Sequence, residues 1–184
     1  MRLLFRQVVL VMALLSVSLV AQSQSARIPM THGTTFAGAQ VMLPDDLRGR
    51  VGVLVLGFSK SSGEMCSGWG RRVAANYRET HEVMYYQMPV LASVPKLIRS
   101  MVVKSIRSSV PETEQTHFLP VFSDEAEWRK IARYANVDDA YVLVVDGDGR
   151  VRWQASGKAT DAEFAALKEQ VDALRTQALS SATK

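Results

Sequence analysis

A lone cysteine is the first constraint. The 184-residue chain contains only Cys66, so no internal disulfide can form and no dithiol can cycle between oxidised and reduced forms. Four roles remain for Cys66: buried packing, a reactive single thiol, a metal ligand or an intermolecular bridge. Histidine is almost as sparse. His32, His81 and His117 are scattered, and neither their mutual spacing nor their spacing from Cys66 is that of a zinc or copper site. No metal and no cofactor is expected. The net charge is only +4, or +2 without Arg2 and Arg6 (4 − 2), too weak a surplus to indicate a nucleic-acid partner. Internal repeats and low-complexity tracts are absent. Long apolar runs are lacking too, apart from Val8–Val20, which is 13 residues long and interrupted by Ser16 and Ser18. A helix needs about 20 apolar residues to span a bilayer.

What is present begins with that run. Arg2 and Arg6 precede it, and small residues follow at Ala21, Ser23 and Ser25. A basic start, a short apolar stretch and a small-residue exit read as a secretory signal. Cleavage is expected after Ser23, with a cut after Ser25 or an uncleaved anchor as the other readings. No cysteine lies near the cut to carry a lipid. The chain is therefore expected to be exported, periplasmic or secreted. Its organisation reads as a signal peptide over 1–23, an extended segment over 24–46, one domain over 47–178 and a disordered tail over 179–184.

The domain alternates strands and helices. Arg50–Phe58 is continuously apolar and β-branched after its first residue, which suits a strand buried on both faces. A polar loop over Ser59–Gly63 leads to a helix expected over Cys66–Tyr77, and Glu82–Met88 is the next strand. Pro95 starts a helix that runs to Ser108 and stops before Pro111. Thr116–Phe122 is a weaker strand because Pro120 interrupts it. Asp124 to Glu127 has the spacing of a capping box, and Trp128, Ile131, Ala132 and Ala135 share the face that follows. Tyr141–Val145, the turn Asp146-Gly147-Asp148-Gly149 and Arg150–Ala155 form a hairpin. That turn matches a calcium loop only in its first residues, since the other ligands are missing. Thr160 to Glu163 is a second capping box, leading Phe164, Leu167, Val171 and Leu174 at helical spacing. Trp128, Trp153 and Phe164 read as core. The pattern is an α/β fold: a mixed β-sheet flanked by helices, with a closing β-hairpin and a C-terminal helix.

Two segments carry a resemblance. LRGRVGVLVLGFSKSSG over Leu47–Gly63 and AYVLVVDGDGRVRW over Ala140–Trp153 resemble the opening and closing strands of thioredoxin-like and peroxiredoxin-like proteins. A narrower likeness runs through Ser67-Gly68-Trp69, the Leu97–Pro111 helix ending SSVP, Asn136, Tyr141–Asp146 and VRWQASGKATDAEFAAL. Over Leu47–Leu174 the chain resembles the mitochondrial F-type ATP synthase assembly factor family often called "factor ten". The resemblance implies a thioredoxin-like fold and a chaperone-like role toward the membrane sector of the synthase, and the expected partner is a membrane-associated protein.

Thiol chemistry is disfavoured by the residues themselves. If Cys66 is the first thiol of a CxxC motif, Trp69 stands at the second; if it is the second, Gly63 stands at the first. The place of the superfamily's active-site cis-proline, counted back from Asp146, falls on Ala140. A peroxidatic P-x-x-x-(T/S)-x-x-C motif fails at Ser59 and Gly63, and Glu64 opposes a thiolate. The expected reading is therefore a non-catalytic binding or assembly module, with no confident catalytic residue. The alternative is a thiol-dependent antioxidant or redox enzyme using Cys66 with an external thiol. The one other candidate surface is the Val94–Ser108 helix. Leu97, Ile98, Met101, Val102 and Ile106 share one side, while Lys96, Arg99, Lys104 and Arg107 share the other. No acidic residue occurs from Val83 to Pro111. The ordinary expectation is that the apolar side packs on the core and the basic side is solvated; the functional one is a basic face for anionic lipid or an acidic partner.

Overall fold

The computed structural model describes residues 26–182; the expected signal segment and its cleavage site lie outside them. Ten named elements follow in order: β1 (Thr31–Thr34), β2 (Gln40–Leu43), β3 (Val51–Gly57), α1 (Gly63–Tyr77), β4 (Val83–Pro89), α2 (Lys96–Ser109), α3 (Glu125–Ile131), β5 (Ala140–Val145), β6 (Val151–Ser156) and α4 (Asp161–Ala182). The main sheet has the order β4-β3-β5-β6. β4 lies parallel to β3, whereas β5 is antiparallel to both β3 and β6.

The continuous apolar runs become strands covered on both sides. Leu54, Leu56, Tyr141, Leu143 and Val145 point to one face, where Trp128 and the N-terminal Val41, Leu43 and Leu47 cover them. Val51, Val53, Val55, Val142 and Val144 point to the other, against Trp69 and Val73 of α1 and Phe164, Leu167 and Val171 of α4. This alternation is the period of two of a pleated strand.

Several expectations change. The 24–46 segment is not simply extended: β1 and β2 form an antiparallel hairpin. Phe36 beyond β1 stacks on Phe118, with ring centres 5.7 Å apart. Thr116–Phe122 opens in a 3-10 turn over Glu112–His117. It joins the sheet only through bridges of Phe118 to Gln87 and Val121 to Val90. Leu119 and Val121 donate their amides to β4, at 2.9 Å each, so Pro120 falls on the side where no donor is needed. α4 continues through Ala182, past the expected boundary at 178.

The two capping-box sequences behave differently. Thr160 Oγ1 accepts the Glu163 amide at 3.2 Å, as a cap should. Asp124 has φ 56°, in the left-handed region, and makes no cap bond; its carboxylate accepts from the Ser123 hydroxyl at 2.6 Å. Arg133 is also left-handed, with φ 52°. It ends the helical path, and Ala135 is exposed rather than on the Trp128 face.

α2 departs furthest from expectation. None of its residues is buried. Val102, Val103 and Ile106 are half-buried, whereas Leu97 and Met101 face solvent. The helix is thus rotated so that only part of its apolar side meets the body.

Candidate functional site

Sequence places the thiol at a helix start; the structure places it one turn inside. α1 begins at Gly63, three residues before Cys66, and the Cys66 amide already bonds the Ser62 carbonyl at 2.9 Å. Of the two alternatives for a missing dithiol, Cys66 therefore takes the inner position, and the outer one at the helix N-terminus is Gly63. An N-terminal thiol gains from free amides and the helix dipole. Cys66 does not stand there.

Its surroundings favour the neutral thiol. Cys66 Sγ donates to the Leu56 carbonyl at 3.6 Å and lies 4.0 Å from Ser62 Oγ. A Cβ on Gly57 would come within 2.9 Å of the sulfur, so the thiol rests directly on the end of β3. Burial pushes its pKa up to about 11, outweighing the Ser62 hydrogen bond that acts the other way. At pH 7 that leaves a thiolate fraction on the order of one in ten thousand.

The neighbouring polar groups are committed elsewhere. Ser59 Oγ donates to the Val137 carbonyl at 2.6 Å and accepts the Ser62 amide at 3.1 Å, while Ser62 Oγ donates to the Ser59 carbonyl at 2.9 Å. These bonds close the 59–62 loop on itself. Ala140 pairs with Gly57 across β3 and β5 and is wholly buried, so the strand start near the sulfur carries an alanine methyl. Trp69 is also fully buried, and its indole donates to the Gly157 carbonyl at 2.9 Å. It ties α1 to the loop before α4. A cleft lined by Arg50, Asp146, Asp148 and Arg152 opens at the other end of β3. The Asp146 carboxylate there accepts the Asp148 and Arg150 amides and pairs with Arg152 at 3.2 Å, which accounts for it as a turn residue.

The basic candidates divide. Lys96 and Lys104 are exposed. Arg107 is exposed and bonds Gln115 at 3.2 Å. Arg99 does not join them: its guanidinium donates to the Ala92 and Val94 carbonyls at 3.1 and 3.0 Å and lies over the Phe122 ring. It fastens the start of α2 to the preceding loop. Of the histidines, His32 and His81 are exposed, and His117 stacks on Tyr85 at 3.8 Å between ring centres. Sequence reasoning missed the His117–Tyr85 pair and the adjoining Arg78–Glu114 ion pair, because their contacts are long-range and no local spacing announces them.

A mixed sheet with α1 and α4 on one face, closed by a β-β-α unit, defines a thioredoxin-like protein, here with one half-buried thiol. Solved structures agree on the fold. An uncharacterized conserved protein from Geobacillus kaustophilus superposes with a TM-score of 0.60 at 15% identity, covering 84% of this chain and 82% of that one. The thioredoxin domain of a thiol-disulfide oxidoreductase from Bacteroides vulgatus gives 0.55 at 12%, covering 81% and 98%. Within this class the chain belongs to the ATP10 protein family, whose profile matches residues 12–174. A curated relative, the mitochondrial ATPase complex subunit ATP10 of Eremothecium gossypii, is 28% identical over 145 residues, or 74% of this chain. The chain spans about half the length of that relative, 53%.

This relative corrects the expected periplasmic or secreted placement, because it is a mitochondrial protein. The physical reason lies in an ambiguous signal. A basic, serine-containing N-terminus without acidic residues satisfies organellar transit composition as well as a secretory signal, and no acidic residue occurs before Asp45.

Proposed function

We propose that this chain is a non-catalytic thioredoxin-like module that assists assembly of an ATPase complex by binding one or more of its protein subunits. The observation that carries the reading is the family match through residues 12–174, together with a curated relative named as a mitochondrial ATPase complex subunit. The half-buried thiol, whose pKa desolvation pushes up to about 11, supports a binding role over redox chemistry. The basic, acid-free N-terminus is then a targeting segment toward a mitochondrial compartment.

Depletion and rescue test this. Removing the chain should lower the amount of assembled ATPase complex resolved on native gels, and both wild type and Cys66→Ser should restore it. Unchanged complex in depleted cells would sink the assembly role. Rescue by wild type but not by an equally abundant Cys66→Ser protein would establish thiol chemistry instead.

A further inference from the structure

We propose that α2 is a membrane-docking helix: Leu97 and Met101 enter the surface of a bilayer whose anionic phospholipid headgroups are met by Lys96, Lys104 and Arg107. This goes beyond the assembly reading and does not depend on it.

Exposure motivates the proposal. Leu97 is 96% exposed and Met101 64%, and the two lie one turn apart on the same outward row. Ile98, next to Leu97 in the same helix, is 42% exposed. Large apolar side chains grouped in this way contribute little to the fold and mark a surface that meets something else. Folding does not require α2 to present them, since the helix buries none of its residues.

Geometry lays the helix flat. Arg99 ties its start to the preceding loop through the Ala92 and Val94 carbonyls, Arg107 ties its end to Gln115 of the following turn, and Val102, Val103 and Ile106 are its half-buried side. The 14 residues, about 21 Å of helix, thus offer a long outer face opposite that side.

Charge names the occupant. Lys96 and Lys104 have no ion-pair partner among the described residues, and no acidic residue occurs from Val83 to Pro111. The face is thus apolar and cationic without compensation. Protein interfaces are depleted in lysine and built around aromatic and arginine anchors. Helices that lie in the membrane interface combine Leu or Phe with flanking Lys and Arg, whose long stems let the charge reach the headgroups. The composition here is the second kind.

A local probe separates this face from any binding by the N-terminal apolar run. The full chain is labelled with an environment-sensitive fluorophore at Leu97→Cys, in a Cys66→Ser background, and mixed with phosphatidylcholine vesicles with or without phosphatidylglycerol. Emission should shift blue with the anionic vesicles and much less with neutral ones. A label at Ala165→Cys, exposed on α4, should not respond. Lys96→Glu with Lys104→Glu should raise the lipid concentration for half-shift by on the order of tenfold or more. Lys96→Gln with Lys104→Gln should move it in the same direction by less, and the melting temperature should stay at wild type in both. Vesicle-bound protein with an unshifted label at position 97 would overturn the proposal. So would a shift that survives charge reversal, one that follows protein concentration without lipid, or one produced by a solubilised partner protein and not by vesicles. The depletion experiment above reads the assembly role separately, so either idea can fail alone.

Discussion

At the scale of single residues, two titratable groups report their surroundings. The Cys66 sulfur rests on the β3 backbone, where partial loss of water pushes its pKa up and favours the neutral thiol. Alkylation at pH 7 should therefore be slower than for a free cysteine by on the order of a hundredfold, since only the thiolate reacts. The rate should climb about tenfold per pH unit and keep climbing past pH 9. A plateau below pH 9, followed by mass spectrometry on the intact chain, would mean that the thiol is open and activated. His117 is the second group. Its Nδ1 donates to the Tyr85 carbonyl at 3.1 Å, and burial pushes its pKa below the ordinary 6.5, against the opposing pull of the Tyr85 bond and the Glu114 carboxylate. The unfolded ring takes up its proton near 6.5, the folded ring only at lower pH. The stabilisation is thus complete above 6.5 and is lost as pH falls below it toward the folded value. Melting temperature should fall between pH 7 and pH 5 in wild type, and His117→Gln should flatten that fall. An identical slope in the variant would show that His117 is not responsible.

At the scale of elements, two stretches that look alike in sequence end up with different backbones. Thr160 caps α4, whereas Asp124 precedes α3 in a left-handed conformation without capping it. Thr160→Ala should lower stability by about 1 kcal/mol. Asp124→Gly should raise it slightly, by less than about 1 kcal/mol, because glycine adopts positive φ freely. Chemical denaturation of both variants checks the pair, and equal losses would mean that both sites cap. The contrast also shows what sequence makes legible. The strands were readable because β3 and β5 are buried on both faces and so run apolar without a break. The Phe164–Leu174 face was readable because a capped helix covers the sheet on one side only. The start of α1 was not, since Ser61-Ser62-Gly63 has the composition of a loop; three residues decided whether Cys66 stood at the helix end or within. The orientation of α2 was not readable either. Periodicity tells which side chains share a side, whereas the side that meets the body shows only in the half-burial of Val102, Val103 and Ile106.

At the scale of the whole molecule, the fold is shared with thiol-disulfide enzymes, while the chemistry rests on particular side chains that this chain does not carry. The fold was legible from the Leu47–Gly63 and Ala140–Trp153 segments, and the family from the narrower likeness through Ser67-Gly68-Trp69, the Leu97–Pro111 helix and the stretch from Val151 to Leu167; the compartment was not, because two targeting codes overlap in composition. Magnitudes support the proposed non-catalytic reading. A pKa of about 11 costs the thiolate roughly four decades of population at pH 7. Even a well-placed helix N-terminus is worth about 0.3–1 kcal/mol at an exposed site, less than a tenfold effect on rate, and Cys66 lies one turn inside the helix. Were the thiolate to attack a disulfide, the mixed disulfide would need a second thiol to displace the sulfur and release the reduced product. Gly63 occupies the adjacent place, so release must wait for an external thiol. The purified protein is therefore expected to reduce insulin disulfides no faster than the dithiothreitol in the assay does by itself. Peroxide consumption should not exceed that of an equal concentration of free thiol. Turnover above these backgrounds that disappears in Cys66→Ser, with the melting temperature retained, would overturn the non-catalytic reading and assign the chain to the thiol enzymes whose fold it shares.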